Sequence, residues 1–163
     1  SLKVSIVIGS KTDLDLAKAS AEVLDSFEIK NTINVLSAHR MPEILQEHIN
    51  EALNSGTKIF IGIAGMAAHL AGNIAAHTSV PVIGVPGDGG PLNGFDALLS
   101  TVQMPKGVPV ATVAIGKAGA INAGHLAAQM LAIGDENLSE SIKDARIKQK
   151  QQLKKENDEL QAG

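Results

Sequence analysis

The chain has 163 residues, 44% of them hydrophobic and 19% charged, with a formal net charge of −3. That length supports one domain with a substantial core, and the balance of apolar and charged residues excludes a disordered chain. The weak negative charge offers no basic field for nucleic acid, and the lack of cysteine excludes disulfides, thiolate metal sites and cysteine nucleophiles.

The first apolar run, Val4 to Gly9 (VSIVIG), reads as a strand buried on both faces. No basic n-region or cleavage site precedes it, so no signal peptide is expected and a cytoplasmic location is the default. It runs into Gly9-Ser10-Lys11-Thr12-Asp13, which ends like a P-loop. Serine rather than glycine precedes Lys11, so the Walker match fails. A glycine-serine turn before a helix remains, where free amides and the Ser10 and Thr12 hydroxyls can hold an anion. Asp13 either caps that helix or bonds ribose hydroxyls. From Asp13 to Phe27, Leu14, Ala17, Ala21 and Leu24 recur at helical spacing.

TINVLS (32–37) is a second strand, followed by Ala38, His39 and Arg40. Pro42 suits the first position of a helix, and Ile44, Leu45, His48, Ile49 and Leu53 share one face up to the stop at Asn54-Ser55-Gly56. KIFIGIAG (58–65), PVIGVP (81–86) and PVATVAI (109–115) are strands three to five. The stretch from Gly107 to Gly134 carries a single charge, Lys117, but glycines, Pro109 and polar residues interrupt it. It reads as a strand and a buried helix rather than a membrane span. The helices expected at 66–76 and 119–132 lack a polar face, which predicts burial, most economically between subunits. From Asp135 the chain turns charged and helical, with Asn137 and Glu140 spaced as a capping box. The expected division is an α/β domain over 1–133 and a helical tail over 134–163 that packs on a neighbouring subunit or enters solvent.

Regular alternation of strand and helix predicts a parallel five-stranded sheet with helices on both faces, a three-layer α/β/α sandwich plus the C-terminal helix. Ligands in such folds bind beyond the carboxyl ends of the strands. The loops at 9–13, 37–40 and 64–66 all fall there. Arg40, one of two arginines in the chain, presents a planar fork suited to phosphate, and Ser37 adds a hydroxyl. His39 can give and take protons near neutrality. His48, His77 and His125 have no partners at metal spacing and read as packing or surface groups. His69 reads equally as a buried, hydrogen-bonded histidine or as a ligand-facing one. The residues alone thus imply a ligand bearing phosphate and ribose, one acid/base histidine, and neither a metal nor a covalent nucleophile. They do not give the reaction.

The stretches GSKTD (9–13), SAHRMP (37–42), AAHLAG (67–72), PVIGVP (81–86), LLSTVQMPKGVPVATVAIG (98–116) and AGAINAG (118–124) occur in an order that resembles the class I N5-carboxyaminoimidazole ribonucleotide mutases of purine biosynthesis. The resemblance runs from about Lys3 to Leu131. It implies a flavodoxin-like fold, a cytoplasmic homo-octamer, no cofactor, and a small-molecule ribonucleotide substrate without nucleic-acid or membrane partners. It further implies that Ser10, Ser37 and Arg40 hold the 5′-phosphate with Thr12 beside them, and that Asp13 holds the ribose. His39 would be the catalytic acid/base. Ala64, Gly65, Met66 and Ala67 would line the imidazole and carboxylate, with His69 near that end. Met66 stands where that family usually has glycine, Ala71 where proline is usual, and Met41 where threonine is. The nearest alternative is a class II carboxylase, which uses carbon dioxide directly and has a Gly-Arg-Ser-Asn type loop where this chain has AGMAAHLAG. A flavodoxin-like regulator is more distant, because a receiver needs an acidic cluster where this chain has Gly-Ser.

Overall fold

A computed structural model describes residues 2–163. Five short strands, β1 (Val4–Ile8), β2 (Asn31–Val35), β3 (Ile59–Ala64), β4 (Val82–Pro86) and β5 (Ala111–Thr112), alternate with α1 (Leu14–Ser26), α2 (Pro42–Asn54), α3 (Leu70–Ala76), α4 (Phe95–Val102) and α5 (Lys117–Ala132). A long final helix, α6, spans Glu136–Ala162. All strand pairs are parallel, in the order β2-β1-β3-β4-β5. This is the doubly wound flavodoxin-like order, which reverses direction between β1 and β3.

The central strands β1, β3 and β4 are buried on both faces because both are covered, while the edge strands β2 and β5 are partly exposed. Ile6, Ile8, Ile61, Ile63 and Ile83 join Ala17, Leu24, Ala120 and Ala127 in one buried layer under α1 and α5. Val7 and Phe60, one residue out of step, join Leu45, Ile49, Leu70 and Ile74 under α2 and α3. The strand period of two sends alternate residues to opposite layers.

Part of the small-residue pattern of α3 and α5 has a cause inside the chain. Gly62 pairs with Gly84 across β3 and β4, and a Cβ on Gly62 would lie 3.1 Å from the Ala71 Cα. The backbone of α3 therefore rests almost directly on the sheet. In α5, a Cβ on Gly124 would lie 2.9 Å from the Ser20 carbonyl, and Ser20 Oγ donates to the Ala120 carbonyl at 2.6 Å. Close approach to α1, not a second subunit, accounts for that face.

Other expectations shift at their edges. The helix expected from 66 starts at Leu70, because Met66 adopts a left-handed conformation (φ 56°) that helical backbone cannot include. The helix expected from Asp13 is preceded by a 3-10 turn, Lys11–Asp13. The fifth strand shrinks to two residues. Helix α6 is capped by Asp135, whose side chain accepts from the Leu138 N–H at 3.1 Å, and not by Asn137. Of α6, Leu138 is buried and Ile142 packs on the α5 layer, while 148–163 is exposed throughout. Helix α4 was not anticipated. Its spacing Phe95, Leu98, Leu99, Val102 is helical, yet Phe95 is 63% exposed and Leu99 50%. No helix among the described residues is long and apolar enough to cross a membrane.

Candidate active site

The carboxyl ends of β1, β2, β3 and β4 are tied to one another beyond the regular ladder. The Gly9 N–H donates to the Ile63 carbonyl at 3.0 Å, Leu36 to Ile8 at 2.9 Å, and Gly87 to Ala64 at 2.8 Å. The loops leaving these ends enclose a cavity of about 600 Å3 at the point where strand order reverses. Ser10, Thr12, Asp13, Ser37, His39, Arg40, Ala64, Gly65, Met66, Ala67 and His69 all line it. Residues 10 to 69 in the chain thus become neighbours, as the strand-end placement required.

Arg40 bridges two of the loops. Its Nη2 donates to the Gly9 carbonyl at 3.0 Å and its Nε to Ser37 Oγ at 3.2 Å. Ser37 is 7% exposed, and its Oγ also accepts from the Arg40 backbone N–H at 3.1 Å. Both bonds use the hydroxyl as acceptor, so its proton stays available to a ligand oxygen. Ion pairs among the described residues, Lys143–Glu140 and Lys154–Asp158, lie on α6. Arg40 has no carboxylate beside it, and an unneutralised guanidinium at a cavity mouth is suited to an external anion.

Ser10 organises the first loop. Its Oγ accepts from the Thr12 N–H at 3.3 Å and from the Thr12 hydroxyl at 3.2 Å. Asp13 makes no capping hydrogen bond, so the reading of it as a helix cap is not met. Its carboxylate instead abuts the Gly87 backbone, where a Cβ would lie 3.1 Å from Oδ1. Burial, and secondarily the charge of Asp88, raise the Asp13 pKa above the usual carboxylate value.

The sign of this shift sets a pH dependence. A raised native pKa means that the folded chain binds more protons than the unfolded one. Asp13 therefore supports folding most below the usual carboxylate pKa, and that support is lost as pH rises through the raised value. Asp13→Asn is expected to gain melting temperature relative to the wild type as pH rises above the usual carboxylate pKa. Equal slopes for the two proteins would contradict the shift.

His39 and His69 meet across the cavity. Their Nε2 and Nδ1 atoms are 2.8 Å apart, and the rings stand edge to face at 4.9 Å. Such a bond requires one protonated and one bare nitrogen, so each ring fixes the other's tautomer. His69 is exposed to the cavity, which corrects its reading as a buried histidine. Between these groups, Gly65 to Ala67 lines the cavity with Ala68 buried behind it, and Met66 is 59% exposed.

Several participants were not found from the sequence. Gly89 and Gly90 line the cavity from the loop after β4, and Met66 packs there because Gly90 has no side chain. Asp88 comes close to Asp13 through the same loop. The signal was present in Gly87-Asp88-Gly89-Gly90, at a fourth strand's carboxyl end. The other histidines lie elsewhere. His48 shares a 2.8 Å hydrogen bond with Ser5, His77 bonds the Asn73 carbonyl, and His125 stands edge-on to Phe27. No metal-binding group of three or more candidate ligands occurs among the described residues.

A sequence model of AIR carboxylase matches residues 3–152. The N5-carboxyaminoimidazole ribonucleotide mutase of Vibrio vulnificus is 49% identical over 148 residues, covering 91% of this chain and 92% of its own. The protein of the same name from Bacillus subtilis is 47% identical over 157 residues, covering 96% and 97%. Among solved structures, Treponema denticola PurE superposes with a TM-score of 0.87 at 27% identity, over 98% of this chain and 99% of that one.

Proposed function

The chain belongs to the AIR carboxylase family, and we propose that it is an isomerase, converting N5-carboxyaminoimidazole ribonucleotide to 4-carboxyaminoimidazole ribonucleotide in purine biosynthesis. The observation that carries the reading is the single cavity in which an unneutralised arginine, a buried serine hydroxyl and a hydrogen-bonded histidine pair converge.

Ser37, Arg40 and the Ser10–Thr12 turn bind the 5′-phosphate, through the guanidinium fork and loop hydroxyls. Asp13, at the cavity wall nearest Gly87, takes the ribose hydroxyls. The imidazole then lies against the Ala64–Ala67 wall, where small side chains let the backbone approach.

His39 carries the proton. In its charged form it protonates the exocyclic nitrogen, the N–C bond of the carbamate breaks, and carbon dioxide leaves with neutral aminoimidazole ribonucleotide behind it. The electron-rich C4 attacks that carbon dioxide and forms the new C–C bond. The proton displaced at C4 returns to His39, which restores aromaticity and resets the enzyme. One group thus acts as acid and then as base, and no second base is needed. His69 holds the His39 ring through their shared hydrogen bond. The chemistry depends on the carbon dioxide reacting before it escapes, which the enclosing loops favour.

A homo-octamer in the cytoplasm is part of the same proposal. The outward stripe of Phe95, Leu99 and Val102 on α4, together with the bare outer half of α6, supports association between copies. Turnover separates the mutase from the class II reading. Conversion of N5-carboxyaminoimidazole ribonucleotide without added bicarbonate is expected. Product formed only from aminoimidazole ribonucleotide plus bicarbonate would overturn it.

A further inference from the structure

The cavity wall from Gly65 to Ala68 is held from outside the site by two hydroxyls on α4. Ser100 Oγ accepts from the Ala68 N–H at 2.9 Å. Its own proton goes to the Asp96 carbonyl one turn back, at 2.7 Å. The Ala97 and Met66 carbonyls lie farther off, at 3.3 and 3.4 Å, and a hydroxyl has one proton to give. Thr101, 2% exposed, donates from Oγ1 to the Ala68 carbonyl at 3.4 Å. Both backbone polar groups of the buried Ala68 therefore bond to α4.

Ala68 sits between the groups that matter most. Ala67 lines the cavity on one side of it, and on the other His69 bonds His39. Met66, two residues before Ala68, is held at φ 56°, a conformation uncommon outside glycine. A wall under backbone strain, and anchored by one acceptor, relaxes when that acceptor is removed. The buried Ala68 N–H would then have to find another partner, by moving or by admitting water.

We propose that Ser100 is a positioning residue for the reaction, fixing the Gly65–Ala68 wall and the His69–His39 pair against the reacting end of the substrate. The inference rests on the mutase reading, and it places Ser100 in the chemical step and not in phosphate binding. Arg40 and Ser37 lie on a different loop, between β2 and α2.

The test is steady-state kinetics of Ser100→Ala, with Ser100→Thr as the rescue, since a threonine hydroxyl can make the same bond one turn back. Ser100→Ala is expected to lower kcat by about 10- to 100-fold while KM changes less than about twofold. Ser100→Thr should recover most of kcat. Glycine at position 66 removes the strain, so Ser100→Ala should cost less in a Met66→Gly background than in the wild type. Amide exchange at Ala68 should quicken in Ser100→Ala whatever the substrate proves to be. An unchanged kcat in folded Ser100→Ala, or a loss carried entirely by KM, would overturn the inference. If that variant fails to fold, Ser100→Cys, with its weaker acceptor, must show the same fall in kcat or the inference is wrong. Wild-type turnover is the control: without it the mutase reading fails, whereas turnover insensitive to Ser100 sinks only the positioning role.

Discussion

Asparagine in place of His39 is expected to lower kcat by about 10³- to 10⁴-fold, the upper part of the range for a lost general acid–base group. The size follows from the proposed double use of one ring, which protonates the carbamate nitrogen and later deprotonates C4. Asparagine can keep a hydrogen bond to His69 but carries no exchangeable proton of suitable strength. KM should change little, because the groups proposed to hold phosphate and ribose are other side chains. His69→Asn is a milder change, since it disturbs the orientation of His39 across their 2.8 Å contact without removing the proton carrier. Retention of wild-type kcat in His39→Asn would remove the histidine from the chemistry.

Arg40→Ala is expected to act on binding. Losing two charge-assisted bonds to phosphate, each about 1.5–3 kcal/mol, should raise KM by about 100-fold or more. Arg40→Lys keeps the charge and loses the fork, so it should fall between the two. Arg40 also joins the Gly9 carbonyl to Ser37 Oγ, so a lower melting temperature would accompany either change. Competition by inorganic phosphate separates the effects, for it should weaken in Arg40→Ala in parallel with KM. An unchanged KM would remove the phosphate assignment.

The two largest effects fall on residues that were legible in the sequence, and the reason is geometric. Strands apolar on both faces announced a covered parallel sheet, and a parallel sheet sends every strand's carboxyl end to one edge. Ser10, Ser37, His39, Arg40 and Gly65 each follow such a strand, so their convergence needed no knowledge of side-chain contacts. What the one-dimensional pattern could not carry was support from elements that point the other way. Helix α4 turns its apolar stripe outward and its two hydroxyls, Ser100 and Thr101, inward, the reverse of the usual reading of an amphipathic helix. Its helical period was visible, but its inward face looked like an ordinary polar surface.

Backbone conformation was the second blind spot. Met66 differs from the glycine usual in the related family, and sequence alone left open whether its side chain narrows the pocket. The positive φ at Met66 explains why glycine suits that position, and its side chain lies against Gly90 in the cavity lining. The small-residue helices carry a related ambiguity. Glycine and alanine mark close approach of backbone, and the pattern does not say whether the other backbone belongs to the same chain. Here Gly62 beneath Ala71 and Gly124 beside Ser20 place the partner within the chain.

Asp88 bears on the cavity wall around Asp13. It adds a second carboxylate near Asp13, and its charge contributes to raising the Asp13 pKa. The same loop provides Gly90, against which Met66 rests.

Carbon-label retention tests the trapped-carbon-dioxide mechanism most directly. The wild-type enzyme is given N5-carboxyaminoimidazole ribonucleotide labelled at the carboxylate, in buffer holding excess unlabelled bicarbonate. Transfer inside a closed cavity predicts that the label appears at the C4 carboxylate of the product at nearly full enrichment. Product carrying the unlabelled carbon of the buffer would contradict it.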